Sequence, residues 1–368
     1  MRVVVIMAGG SGERFWPLSR QDRPKQLLAL TSDRPMLAEV TDRAASLVGA
    51  SNVFVVAGPH LEEPIRRALE SLPHDNLLIE PMGKNTAPCL AFSAAVIGKR
   101  FGPETVMGVL SADSLIRGTE TFDRNVDLAF ECAEREDVLV TLGIRPSHPD
   151  TGFGYLEIGP AITPPEDKRG TAHRVKSFRE KPDEETACRY VESGDYLWNS
   201  GMFFWEISVL QDGLARHASE IARGAQEIAD AIGTPNYDTV ARRVFENWPK
   251  ISIDYALMEK ADNVRAVAGE FDWDDLGTWT ALARAYALDS DGNLALGKCV
   301  ALDTSDAILY NRSEGALGNN SPLLVSIGVK DLVVVHTGST VLVCHRDRVQ
   351  DIKLALAALR EKGYNEYL

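Results

Sequence analysis

No two of the five cysteines (Cys89, Cys132, Cys188, Cys299, Cys344) form a Cys-x-x-Cys pair. Neither a zinc site nor a disulfide framework is therefore supported, and the thiols read as small core residues. The seven histidines show no metal-ligand spacing, and no Ser–His–Asp set can be assembled. No apolar run approaches the roughly 20 residues of a membrane span. The chain enters an apolar stretch at Val3 with no leader pattern before it, so a cytoplasmic protein is expected. Positive charge is in deficit: 39 Lys and Arg against 53 Asp and Glu give a net charge of −14. That balance argues against nucleic acid and against anionic membrane as partners.

What is present is an ordinary globular composition, 45% hydrophobic and 25% charged over 368 residues, enough for one large domain and a small one. Apolar runs at Val3–Met7, Val53–Ala57, Leu77–Ile79, Val106–Leu110 and Val138–Leu142 alternate with helical spacing such as Leu37–Val48 and Ala87–Lys99. This alternation predicts a mostly parallel sheet flanked by helices, the Rossmann-like α/β arrangement. Strand-like pieces follow at Tyr155–Ile158, Arg174–Phe178 and Met202–Trp205, with an exposed loop at Ile162–Gly170. Helical character is read at Ile207–Ile232 and Tyr255–Lys260. After about residue 290 come short β-rich pieces that end in a helix, Val349–Lys362. The expected domains are 1–289 and a small C-terminal β-rich region, 290–368.

The first apolar run leads into Ala8-Gly9-Gly10-Ser11-Gly12-Glu13-Arg14. Without a Cβ, Gly9, Gly10 and Gly12 let backbone N–H groups approach a phosphate closely. A P-loop would end in Gly-Lys-Ser/Thr, but Glu13 and Arg14 follow Gly12; a dinucleotide loop would need glycine where Phe15 stands. Arg14 and Lys25 add positive charge without a nearby acid to cancel both, with Arg20 and Arg23 between them. The combination reads as a nucleoside triphosphate cradle. Asp113 closes the fourth apolar run, at a strand end where ligands of such sheets bind. It suits Mg²⁺, which takes one or two protein carboxylates alongside phosphates, or equally an N-cap. Asp272, Asp274 and Asp275 stand among Phe271, Trp273 and Trp279, and read either as a second carboxylate source or as an acidic helix start.

Gly-Gly-x-Gly-x-Arg-x-Trp-Pro-Leu-Ser-Arg followed by Pro-Lys-Gln resembles the sugar-1-phosphate nucleotidyltransferases, on their guanylyltransferase branch. The resemblance runs from residue 1 to about 285 and continues more weakly to the C-terminus. It takes in Glu80-Pro-Met-Gly-Lys-Asn-Thr-Ala-Pro, Thr151-Gly-Phe-Gly-Tyr, Phe178-Arg-Glu-Lys-Pro, Trp198-Asn-Ser-Gly-Met and Ser252-Ile-Asp-Tyr-Ala. It departs at Ser111 and Ser114, where the family commonly has Pro and His around the Asp, and at Lys84, where it has Arg.

The resemblance implies transfer of GMP from GTP to mannose 1-phosphate, with Mg²⁺ on Asp113 and Asp275 and with Arg14 and Lys25 as catalytic cations. Ala8, Gly9, Gly10, Gly12, Glu80, Asn85 and Thr86 would bind the nucleotide. Gly154, Glu180, Lys181 and Asn199 would bind the sugar phosphate. A homodimer is compatible with it. The alternatives are a transferase for another sugar 1-phosphate or nucleotide, and a non-catalytic regulatory paralogue that binds GDP-mannose.

Overall fold

Val3, Val4, Val5 and Ile6 are completely buried, so the strand that carries them needs neighbours on both edges. Strand β1 (Arg2–Met7) has them in β2 (Val53–Ala57) and β4 (Val106–Ser111), both parallel to it. The computed structural model describes residues 1–10, 12–164, 166–312 and 322–368. Ser11 of the glycine loop and Pro165 of the expected exposed loop thus lie outside the described residues. The chain forms two compact units that interleave in sequence. The first takes in 1–9, 40–112 and 116–273; the second takes in 10–39, 113–115 and 274–368.

The remaining strands up to residue 274 are β3 (Leu77–Ile79), β5 (Leu115–Arg117), β6 (Leu139–Ile144), β7 (Gly154–Ala161), β8 (Thr171–Glu180), β9 (Tyr196–Glu206), β10 (Val264–Gly269) and β11 (Asp272–Asp274). Together with β1, β2 and β4, all of these but β5 and β11 form the nine-stranded sheet of the first unit, in the order β3-β2-β1-β4-β9-β6-β10-β8-β7. The expected parallel arrangement holds from β3 through β4. There β9 enters antiparallel to both β4 and β6, and β7, β8 and β10 add further antiparallel pairs. The fold is therefore a mixed α/β sheet. The aromatic segment around residue 200 makes one 11-residue strand, where the sequence suggested a short piece. That extension carries Trp198 and Asn199 into the sheet. Helix Thr86–Phe101 connects β3 to β4 and is buried along most of its length, from Ala87 to Ala95. Its Phe92 packs edge-on against Phe245, in a core that also holds Phe203 and Trp205.

The second unit has its own core, in which Phe15, Trp16, Leu28, Trp279, Tyr310 and Val333 are buried together. Trp279 donates its indole N–H to the Trp16 carbonyl at 3.0 Å and packs against the Phe15 ring at 5.2 Å. Its strands are β12 (Leu294–Gly297), β13 (Cys299–Leu302), β14 (Ile308–Asn311), β15 (Leu324–Ile327), β16 (Leu332–His336) and β17 (Val341–His345). β12, β14 and β16 stack in parallel, as do β13 and β15, while β17 closes the larger ladder antiparallel. The registers Cys299↔Leu324 and Ile308↔Val333 advance by the same number of residues. Such stacking is that of successive coils of one solenoid. The terminal helix Ile352–Glu361 buries Ile352 and Leu356, two residues of the apolar stripe seen in the sequence.

Candidate active site

Three groups of the expected residues are assembled locally, one in the second unit and two in the first. In the second unit, Lys25 opens the short turn Lys25–Leu27 and is 4% exposed. A buried ammonium needs partners. Its Nζ donates to Asp113 Oδ2 at 2.9 Å and to the Asp275 backbone carbonyl at 2.5 Å. The sequence suggested a lysine without a cancelling acid; the fold instead brings Asp113 from a distant segment directly onto it. Burial pushes the Asp275 carboxyl above the ordinary carboxylate range, and Lys25 offsets this in part. Asp275 Oδ1 also accepts from Gly277 N at 3.1 Å. The neighbouring Asp274 is engaged elsewhere, with Arg284 Nε at 2.5 Å and with Leu276 N at 2.8 Å. Arg14 is exposed on the turn Glu13–Phe15.

The Asp113 carboxylate and the Asp275 residue, whose carbonyl meets the same ammonium, offer an all-oxygen donor set, which suits a hard divalent cation. Among the described residues there is no group of three or more His, Cys, Asp and Glu able to hold a metal. An ion that takes only two carboxylates and completes its shell with water and phosphate needs no third. Gly12 is required for this packing. Its φ is +58°, and a Cβ there would lie 2.5 Å from both the backbone nitrogen and the Cβ of Lys25. Gly12→Ala is expected to destabilise the protein by about 1–3 kcal/mol, read as a fall in Tm, and to reduce activity as Lys25 is displaced.

In the first unit, Glu80 follows β3 and is 6% exposed. Its backbone N–H donates to Ala57, and a Cβ on Gly9 would sit 3.5 Å from its Oε1. Glu80 Oε2 is buried and lacks a hydrogen-bond partner among the described residues. Burial alone pushes this carboxyl up to about 7. Such an acceptor is costly to leave unmade. Asn85, at φ +74°, caps helix Thr86–Phe101 by accepting from Thr86 N at 2.8 Å. Its Oδ1 is thus engaged by the helix start. Ala8 is buried in the sheet and donates to Val56. Gly10, in the second unit, accepts from Gln26 at 3.1 Å, and a Cβ on it would meet nothing within 4 Å.

The third group lies where β7, β8 and β9 meet. Glu180 and Lys181 pair with each other, and Lys181 has φ +49°, a left-handed conformation unusual for a lysine. The turn is held by Lys181 N on Phe153 O at 3.2 Å and by Glu180 N on Glu259 Oε1 at 2.8 Å. Gly154 is needed because the Glu180 carboxylate occupies the space a Cβ would fill. Asn199 projects from β9, where Thr141 Oγ1 donates to its Oδ1 at 2.8 Å.

Residues 3–292 match the nucleotidyl transferase family model. The chain belongs to the nucleotidyl transferase family. Residues 297–359 of this transferase match the mannose-phosphate isomerase/GMP-like β-helix domain, in keeping with the stacked parallel strands seen there. A mannose-1-phosphate guanylyltransferase of Escherichia coli is 36% identical over 100% of the transferase and 76% of its own length. The alginate biosynthesis protein AlgA of Pseudomonas aeruginosa is 34% identical over 99% of the transferase and 73% of its own length. A solved structure from Thermus thermophilus, described as a mannose-1-phosphate geranyltransferase, superposes with a TM-score of 0.85 at 32% identity. That match covers 98% of the transferase and 99% of the solved chain. Members of this family generally use a divalent metal.

The segment Ser252–Ala256 shows no role in the sequence beyond its resemblance to the family. In the structure it joins the two groups of the first unit. Ile253 N donates to Thr86 Oγ1 at 2.8 Å, and Asp254 Oδ1 accepts from Asn199 Nδ2 at 3.0 Å. The segment forms a single π-helical turn, Asp254–Met258, where a regular helix was expected. Such turns recur at functional sites and were the one available signal, visible only in the backbone. No helix of the transferase, among the described residues, is long and apolar enough to cross a membrane.

Proposed function

We propose that the chain is a mannose-1-phosphate guanylyltransferase: GTP and mannose 1-phosphate give GDP-mannose and diphosphate. The observation that carries this reading is Glu80, a buried carboxylate with an unmet acceptor beside Gly9. Guanine presents two adjacent donors, N1–H and the 2-amino group, that suit such an acceptor. The names of the full-length relatives support the sugar. Division at 289/290 is supported by the two family matches, which end at 292 and begin at 297. Cytoplasmic location and a homodimer belong to the same reading.

The phosphate of mannose 1-phosphate is already an ionised nucleophile at neutral pH, so no general base is needed. Catalysis then consists of in-line positioning at the α-phosphorus and of charge stabilisation. Gly9, Gly10 and Gly12 hold phosphate oxygens through backbone N–H groups. Arg14 and Lys25 offset charge on the α-phosphate and the departing diphosphate. Glu80, Asn85 and Thr86 hold the nucleoside; Gly154, Glu180, Lys181 and Asn199 hold the sugar phosphate. Asp113 and Asp275 hold Mg²⁺, which when bound neutralises triphosphate charge. The Lys25 ammonium, held by the Asp113 carboxylate and the Asp275 carbonyl, supplies fixed positive charge beside these acids.

This division of labour separates the two lysines. Lys25→Ala is expected to lower kcat with little change in KM for mannose 1-phosphate, because its contact strengthens as charge reaches the leaving group. Lys181→Ala is expected chiefly to raise KM for mannose 1-phosphate. Steady-state kinetics of both variants check this, and one shared pattern would refute the assignment.

A further inference from the structure

Asn199 has four hydrogen-bonding capacities: two lone pairs on Oδ1 and two hydrogens on Nδ2. Both lone pairs are engaged, by Thr141 Oγ1 at 2.8 Å and by Gly201 N at 3.4 Å. One hydrogen goes to Asp254 Oδ1 at 3.0 Å. A single N–H donor is left, on the side chain that stands near Glu180 and Lys181.

What holds that donor in place is Asp254. An ionised carboxylate only accepts, so it admits the nitrogen end of the Asn199 amide and rejects the oxygen end. A neutral amide or hydroxyl in its place would admit either end. The cost of the arrangement is visible: burial, with the Glu180 charge adding to it, raises the Asp254 carboxyl to about 6. Ser252 and Lys181 act in the opposite direction, favouring its ionised form. A residue kept only for stability would not be a carboxylate buried beside another carboxylate. We propose that Asp254 is a positioning residue for sugar recognition: it fixes the orientation of Asn199 so that the subsite presents one N–H donor opposite the Glu180 acceptor. One sugar hydroxyl then accepts from Asn199 Nδ2 while another donates to Glu180. The same segment reaches Thr86 through Ile253 N, so it ties the sugar donor to the start of the helix that follows the Glu80 loop.

The inference rests on the mannose 1-phosphate reading, and the test separates the two. The parent, Asp254→Asn and Asn199→Ala are compared at pH 8 by thermal unfolding, by calorimetric titration with mannose 1-phosphate, and by steady-state kinetics. Asp254→Asn is expected to unfold at or above the parental Tm, since it removes a buried charge. Its KM for mannose 1-phosphate should rise about tenfold, with kcat and KM for GTP nearly unchanged. Against the 2-, 3- and 4-deoxy sugar phosphates, the parent should lose affinity for the analogue that lacks the Asn199 partner; Asp254→Asn and Asn199→Ala should show no further loss for that one. A fall in Tm with unchanged KM, or an equal rise in both KM values, would overturn the positioning role. Failure of the parent to bind mannose 1-phosphate would overturn the underlying reading and this inference with it.

Discussion

Asp113→Ala and Asp275→Ala are each expected to lower kcat by at least about 10²–10³-fold, because each removes a charge that acts on the triphosphate. The fold gives this prediction its internal control. Asp274, adjacent in sequence, is instead held by Arg284 and Leu276 N. Asp274→Ala should therefore keep most of its activity and lose some stability instead. Removing Asp113 also leaves the buried Lys25 with only the Asp275 carbonyl among its two described partners here. Asp113→Asn, which retains an acceptor for Lys25, separates loss of catalysis from loss of folding. Chelation of the parent should reproduce the effect, and titration with Mg²⁺ should restore turnover. Activity that survives in Asp275→Ala or in chelator would remove the metal from the account.

The second large effect is expected at Glu80. Adenine has no proton on N1 and no 2-amino group, and uracil and thymine offer a single imide N–H. A site built on a buried hydrogen bond rejects analogues that lack it by roughly 10⁴-fold. Glu80→Gln should raise KM for GTP strongly and narrow the gap between GTP and UTP or dTTP. The same residue makes a stability prediction of known sign. Its carboxyl titrates near 7 in the folded chain, against 4.5 as the ordinary value. The native state therefore holds a proton that the unfolded state gives up, and Glu80 lowers stability progressively as pH rises from about 4.5 to 7. Glu80→Gln mimics the neutral acid. It should match the parent in unfolding free energy near pH 4 and exceed it at pH 8, by on the order of 1–3 kcal/mol. Binding of GTP to the parent should strengthen as pH rises through 7, while the variant stays flat. Unchanged selectivity among the four triphosphates in Glu80→Gln would refute base reading by this side chain.

Local signals carried the first half of the fold. Val3–Met7, Val53–Ala57 and Val106–Leu110 are runs that only a doubly covered parallel sheet can bury, and β1, β2 and β4 occupy them. Antiparallel insertion of β9 between β4 and β6 left no comparable trace, because it is decided by partners about 60–100 residues away in the chain. The amphipathic helix Thr119–Arg135 went unmarked among its charges, although Phe122, Val126 and Phe130 are buried along one face. The parallel coils after residue 290 show no fixed period in sequence, since their strands are only four or five residues long. At the candidate site, residue types were legible and their pairings were not. Lys25 was visible as a cation and Glu80 as an acid. That Asp113 would be delivered to Lys25, and that Glu80 Oε2 would lack a partner among the described residues, depends on the tertiary fold. Asp254 was hidden for the same reason: its meaning lies in Asn199, 55 residues earlier.

The central claim is the reaction, and diphosphate release tests it most directly. The protein, supplied with Mg²⁺, is offered GTP, ATP, UTP and dTTP in turn, each with mannose 1-phosphate and with glucose 1-phosphate. The account predicts rapid release with GTP and mannose 1-phosphate, GDP-mannose as the second product, and rates lower by orders of magnitude with ATP. Equal rates with all four triphosphates, or no release with any pair under conditions where the protein is folded, would contradict it.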